Sequence, residues 1–285
     1  MRVYIIADLE GVSGIVDREQ LVPSGYRYEE ACKELTEELN CIVEGCLRAG
    51  AKEIIVHDGH NFGFNINRNL LHSKAKLITK SSKILINDSF DALILVGYHG
   101  KAGSSAVLSH TYSFNSIKNL KFNGISVGEI GWHALIAGHY NIPVVLVSGC
   151  DVTCKEACNL LGKVETVVTK ESIDKNSAIC YSSEEIKKNL KERVYRALKN
   201  VDNYKPFKLK YPIEMVIEYY TNYSARKACA NSKLKLISNN KVIYLAKDII
   251  DATNNFRAPK PSLLPPILKV IYKIIRKKAE DLGIY

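Results

Sequence analysis

Carboxylates and imidazoles recur in one kind of place in this chain, close behind short apolar runs. The run at residues 3–7 leads into Asp8-Leu9-Glu10-Gly11 and that at 54–56 into His57-Asp58-Gly59-His60. The run at 92–96 leads into Gly97-Tyr98-His99, and that at 141–147 into Gly149-Cys150-Asp151. Residues two apart in an extended chain point the same way, so Asp8 and Glu10 share a face. Oxygen and imidazole ligands without thiolate suit zinc, manganese or iron. A carboxylate between two cations can bridge them at ~3.5–4 Å, and such a pair polarises a carbonyl and acidifies water. Two imidazoles and two or three carboxylates exceed the needs of one tetrahedral zinc, so the reading is a pair of metals. A single Asp or His after a strand is commonly a helix cap or a hydrogen-bonded core residue. Agreement among four strand ends carries the case.

A parallel sheet would bring those ends together, because ligands in an open α/β sheet collect outside the carboxyl ends of its strands. The four runs read as strands, and 92–96, apolar throughout, reads as central. Between them, residues 28–49 carry Ala31, Leu35, Leu39, Ile42, Val43, Cys46 and Leu47 on one helical stripe, with Gly50 at the stop. Residues 128–139, 152–161 and 182–199 read as further helices, the last opened by a Ser182/Glu185 capping box. The expected fold over residues 1–200 is therefore α/β, a mostly parallel sheet flanked by helices, which is the metal-binding domain. Pro206 and Pro212 then interrupt the chain. Strand-like stretches at 213–220 and 241–246 around a helix at 224–230 predict a smaller α+β unit over 201–258. Pro259, Pro261, Pro265 and Pro266 mark a linker, and 267–282 reads as a basic amphipathic helix within a segment 259–285. Its apolar stripe is expected to pack on its own domain or a neighbouring subunit, since cytosolic helices bury such stripes within protein, rather than on a membrane surface.

Bulk composition narrows the classes. The apolar and charged fractions, 46% and 25%, are those of an ordinary globular chain. The first apolar run is too short for a signal segment and meets Asp8 at once, and no stretch reaches the ~20 apolar residues that span a bilayer. The expected address is the cytoplasm. The eight cysteines form no C-x-x-C pair, which argues against a disulfide scaffold. Cys150, Cys154 and Cys158 recur every four residues and read as one face of a helix rather than a thiolate site. The net charge of +10 is spread along the chain with no nucleic-acid motif beside it, so solvated helix faces explain it and no nucleic-acid partner is expected.

Several segments resemble the D-aminopeptidase family of binuclear zinc metallopeptidases: residues 4–14 (YIIADLEGVSG), 35–40 (LTEELN), 56–60 (VHDGH), 96–99 (VGYH), 108–113 (LSHTYS) and 127–131 (VGEIG). They keep the family's order and near-family spacing over roughly residues 1–258. The resemblance implies two zinc ions per subunit. Asp8 would bridge them, Glu10 and His60 would complete one shell, and His99 and Glu129 the other. Glu129 is added by the resemblance alone; by position it is a favourable charge in the first turn of a helix. His110 matches the family's catalytic histidine, as nucleophile or general base. The resemblance also implies a metal-dependent aminopeptidase acting on short D-amino-acid peptides such as D-Ala-D-Ala, in a ring-shaped homo-oligomer such as a decamer.

Some positions depart from the family pattern. His57 stands where asparagine is usual, and Cys150 precedes Asp151 where the family places an acidic pair. His133 lies one helical turn after Glu129. His57 and His133 could orient metal ligands or simply pack, and packing is the preferred reading. The alternatives on the same site are a two-metal amidase, L-peptidase or phosphoesterase, or a peptide- or metal-binding homologue without turnover.

Overall fold

A computed structural model describes residues 1–61, 63–81, 84–230 and 232–259. The basic helix expected at 267–282 lies outside the described residues. In chain order the first part runs β1 (Arg2–Ala7), α1 (Tyr28–Arg48), β2 (Glu53–Asp58), β3 (Ala75–Ile78), β4 (Ala92–Tyr98), β5 (Ile117–Phe122) and β6 (Ile125–Ser126). Then come α2 (Glu129–His139), β7 (Val144–Cys150), α3 (Asp151–Leu161), β8 (Glu165–Asp174), β9 (Ser177–Cys180) and α4 (Ser183–Lys199). The last part holds β10 (Ile213–Tyr219), α5 (Asn222–Cys229), β11 (Lys235–Ser238), β12 (Lys241–Ala246) and α6 (Ile249–Asn255).

The main sheet has the order β3-β2-β1-β4-β7-β8-β9. Its first six strands are parallel and only β9 runs antiparallel. β4, buried at every residue, is the middle strand. The chain leaves β1 towards β2 and β3 and returns on the other side as β4, so the strand order reverses between β1 and β4. A crevice forms outside the carboxyl ends at such a reversal.

Alternate residues of the buried strands feed two cores, as the two-residue period of a strand requires. Val3, Ile5, Ile54, Val56, Ile94 and Val96 face a layer in which α1 packs on α4, and Leu35, Leu39, Ile42 and Val43 of α1 are wholly buried there. Each such side chain contributes about 1.5–3 kcal/mol by leaving water. Tyr4, Ile6, Leu93 and Leu95 face α2 and a second sheet, β11-β12-β10-β5-β6. That sheet takes β5 and β6 from within residues 1–200, so the prolines at 206 and 212 do not mark its edge. Ser182 precedes α4, yet its hydroxyl makes no capping bond; Ser183 Oγ instead donates to Glu34 of α1.

Candidate metal centre

β1 and β4 deliver the first ligand candidates. Asp8 N–H continues the ladder to Val96 O at 2.8 Å, and Gly11 N–H closes on Gly97 O at 2.7 Å. This pins the Asp8–Glu10 segment beside His99. β2 brings His60 from the other side, with Gly59 N–H donating to Ala7 O at 2.8 Å. Glu129 is the first residue of α2, preceded by Gly128, and its Oε1 accepts Tyr112 N–H at 2.7 Å. His110 comes from the loop after β4, where its own N–H reaches Gly100 O at 3.2 Å.

All six residues singled out from the sequence meet in one place. His60 Nδ1 lies 3.0 Å from Asp8 Oδ1 and 3.1 Å from Glu10 Oε2. His99 Nε2 lies 3.4 Å from Asp8 Oδ2 and 3.3 Å from Glu129 Oε1. His110 Nε2 lies 3.8 Å from Glu10 Oε1 and 3.9 Å from Glu129 Oε1. The ligand atoms of Asp8, Glu10 and His60, and those of Asp8, His99 and Glu129, each lie within 4.8 Å of one another. Asp8 belongs to both groups.

The three rings share one arrangement. One nitrogen of each meets a backbone carbonyl: His60 Nε2 at Leu21 O (2.9 Å), His99 Nδ1 at Gly100 O (3.1 Å) and His110 Nδ1 at Leu108 O (2.9 Å). A carbonyl only accepts, so in His99 and His110 the proton of the neutral ring sits there and the other nitrogen turns a lone pair towards the carboxylates, whereas His60 Nε2 also meets Asn61 Nδ2 at 2.7 Å. Lone pairs facing carboxylates repel unless a cation or a proton lies between them. The side chains respond accordingly. Burial pushes His60 and His99 down, but the carboxylates around them outweigh it and hold both well above the ordinary histidine range. Burial pushes Asp8 up, and the two imidazoles pull it well below the ordinary carboxylate range. Among the described residues Glu10 Oε2 and His99 Nε2 are buried without a hydrogen-bond partner. Unsatisfied buried polar atoms are costly, and a divalent cation would satisfy both. This donor set fits zinc.

His110 differs from the other two. Its ring is stacked between His99, with centroids 3.9 Å apart, and Phe114, at 3.8 Å. Burial, with the charge on His99, lowers its pKa.

The sequence profile described as D-aminopeptidase matches residues 1–258. The D-aminopeptidase of Bacillus subtilis (strain 168) is 34% identical over 212 residues, 72% of this chain and 77% of its own. The chain belongs to the D-aminopeptidase family. A solved relative, the Zn-dependent D-aminopeptidase DppA from Bacillus subtilis, described as a self-compartmentalizing protease, superposes with a TM-score of 0.87. That match is 30% identical and covers 90% of this chain and 95% of the other.

Within this member of the D-aminopeptidase family, other strand-end residues have different occupations. β7 runs straight into α3, so Asp151 becomes the first helical residue and its Oδ1 accepts Ser172 N–H at 2.8 Å. Asp58 fastens the next loop by accepting the N–H groups of Phe64 and Asn65 at 2.8 and 2.7 Å. His57 bonds to Tyr4 Oη at 2.9 Å and Ser81 O at 3.0 Å, and His133 Nδ1 bonds to Tyr98 Oη at 2.5 Å. Cys154 is buried and Cys158 exposed, and among the described residues no cysteine joins a potential metal group.

Two buried groups behind the centre escaped the sequence reading. Lys170 of β8, wholly buried, donates to the carbonyls of Glu10, Val12 and Ile15 at 2.7, 2.7 and 2.5 Å. Three acceptors match the three protons of an ammonium, and burial lowers its pKa only to about 8. Glu38 of α1 is equally buried and accepts Ser13 N–H at 2.9 Å. Both grip the loop that carries Glu10. Glu38 was visible in principle, since it falls on the apolar stripe between Leu35 and Ile42.

Proposed function

We propose that the protein is a zinc-dependent aminopeptidase that removes the N-terminal residue of short D-amino-acid peptides, D-Ala-D-Ala among them. One observation carries the reading: three rings, each tied to a carbonyl by one nitrogen, turn the other nitrogen onto three clustered carboxylates, two of them buried and Glu129 half-buried. Asp8, Glu10 and His60 would hold one zinc, and Asp8, His99 and Glu129 the second, with Asp8 as the bridge. Bound zinc supplies Lewis acidity, acidifying water and polarising the scissile carbonyl.

The chain's own groups then manage substrate and proton. Carboxylates of the centre orient the free amino terminus of the peptide. His110 Nε2, bare of any proton in the neutral ring, takes the proton of the attacking water. The carbonyl carbon gains that oxygen, the C–N bond breaks, and the proton passes to the leaving amine. Stacking between His99 and Phe114 leaves His110 only its edge to present, and its lowered pKa keeps it unprotonated at neutral pH.

The assembly we propose is a ring-shaped homo-oligomer, a decamer, that encloses the sites, in keeping with the self-compartmentalizing relative. A cytoplasmic address is in keeping with eight free cysteines. Among the described residues no helix is long and apolar enough to cross a membrane.

Metal analysis of the purified protein, coupled to a panel of D-Ala-D-Ala, L-Ala-L-Ala, an amino-acid amide and an aryl phosphate, tests the reading. Two zinc ions per chain and preferential cleavage of the D-dipeptide are expected. Cleavage that survives complete metal removal, or a preference for the phosphate, overturns it.

A further inference from the structure

Beside the metal centre lies a second feature that the reaction chemistry leaves unused. A cavity of about 380 Å³ opens behind Phe114, lined also by Arg18, Leu108, Ser109, Lys175 and Asn176. That volume falls in the range of small-ligand pockets, ~300–1,000 Å³. One aromatic thickness separates it from the catalytic centre, since the Phe114 ring that forms its wall stacks 3.8 Å from His110.

Its walls are fixed to the catalytic groups by backbone. Leu108 N–H donates to Lys175 O at 2.9 Å, while Leu108 O meets His110 Nδ1 at 2.9 Å. The 3-10 turn Arg18–Leu21 is capped by Asp17 and ends at the carbonyl that receives His60 Nε2. Arg18 lays its guanidinium over the outer face of Phe114, 4.2 Å from the ring centre. A guanidinium stacked in this way keeps its N–H edge free for an anion.

Among the described residues neither Arg18 nor Lys175 forms an ion pair, whereas Arg2, Arg48 and Lys187 all do. Two acidic neighbours are engaged by backbone, Asp17 accepting Glu19 N–H and Asp174 accepting Asn176 N–H, each at 2.8 Å. An apolar wall with two free cations above it is built for an organic anion with a short apolar body.

We infer that this cavity binds the C-terminal carboxylate of the substrate, with Arg18 and Lys175 as its partners, so that the enzyme selects very short peptides with a free carboxyl end. This rests on the aminopeptidase reading. One residue spans ~3.3–3.6 Å, so a peptide whose scissile carbonyl sits at His110 has only a residue or two before its carboxylate comes level with the space beyond Phe114. Di- and tripeptides fit that length.

The test uses an uncleavable D-Ala-D-Ala isostere, with CH2–NH in place of the peptide bond, as free acid and as C-terminal amide. Calorimetric Kd values are measured on the zinc-loaded wild type and on the double variant Arg18→Met/Lys175→Met. In the wild type the acid binds about tenfold or more tighter than the amide, in keeping with charged hydrogen bonds; in the double variant the preference falls to about unity. The charge-keeping swap Arg18→Lys/Lys175→Arg retains most of the preference, which separates lost charge from lost shape. Equal binding of acid and amide by the wild type, or a preference that survives in the double variant, overturns the proposal. Binding does not depend on turnover. A protein that prefers the acid but cleaves no dipeptide would therefore keep the carboxylate site and refute the aminopeptidase reading.

Discussion

Gly11 and Gly97 meet backbone to backbone, with Gly11 N–H on Gly97 O at 2.7 Å and no room for a side chain on either. A Cβ on Gly11 would stand 1.9 Å from Tyr98 O, and one on Gly97 would stand 2.3 Å from Asp8 O at a φ of +68°. The contact joins the loop bearing Asp8 and Glu10 to the strand end bearing His99. Gly11→Ala must therefore push that loop outward, because every crowding atom is backbone. Overpacking of this kind costs ~1–3 kcal/mol. A lower Tm together with zinc content reduced below two per chain is expected; a variant with full zinc content and unchanged Tm would refute the argument.

The protonated state of the metal-free centre predicts how zinc enters. His60 and His99 are held above their ordinary range by the carboxylates around them, so both carry protons at neutral pH until a cation displaces them. Affinity at each site should then rise by up to about tenfold per pH unit between pH ~6 and ~8. Chelator-competition titrations at three pH values measure the slope, and calorimetry in buffers of different ionisation enthalpy counts the protons released. A flat profile with no proton release would contradict this account.

Much of this centre was legible in the sequence because its ligands follow apolar strand runs, and a parallel sheet gathers strand ends regardless of their distance along the chain. The central position of β4 followed in the same way from its unbroken apolar run. Asp151 shows where that logic stops: the strand-end pattern is the same, but β7 enters a helix without a turn, and the carboxylate faces Ser172 instead. Glu129 has no strand before it and needed the family likeness. β3, β5, β6, β8, β9 and β11 were missed; alternating or charged stretches such as Lys118, Lys121, Lys170 and Glu171 obscure the apolar faces of β5 and β8. Lys170 could not be singled out, because its reason for burial is three carbonyls more than 150 residues away.

His110 could join Glu10 and His99 as a third potential ligand set, but it belongs to neither set that shares Asp8. His110→Ala should accordingly leave two zinc ions in place while lowering kcat by about 10²–10⁴, the usual contribution of a positioned general base. Metal analysis and steady-state kinetics on the same preparation separate the two roles. Loss of zinc from the variant would make His110 a ligand, and a kcat within a few-fold of the wild type would remove it from the chemistry.

Glu38 sets a pH dependence of stability that is independent of catalysis. Burial pushes its carboxyl up to about 7, against an ordinary 4.5, with Ser13 opposing the rise. The native state then holds this proton more tightly than the unfolded chain does. Its contribution is fully present below about pH 4.5, is lost as pH rises through about 7, and stays lost above that. The full effect is bounded at about 3 kcal/mol by the size of the shift. Glu38→Gln keeps an acceptor for Ser13 N–H and removes the ionisation. Its stability relative to the wild type should therefore improve from pH ~5 to ~7 and level off above that. Urea midpoints of both proteins, taken in chelator so that the shared histidine titrations cancel, give the difference at each pH. A constant difference across that range would mean that Glu38 is already ionised in the folded protein, held by Ser13 and by the ammonium of Lys170.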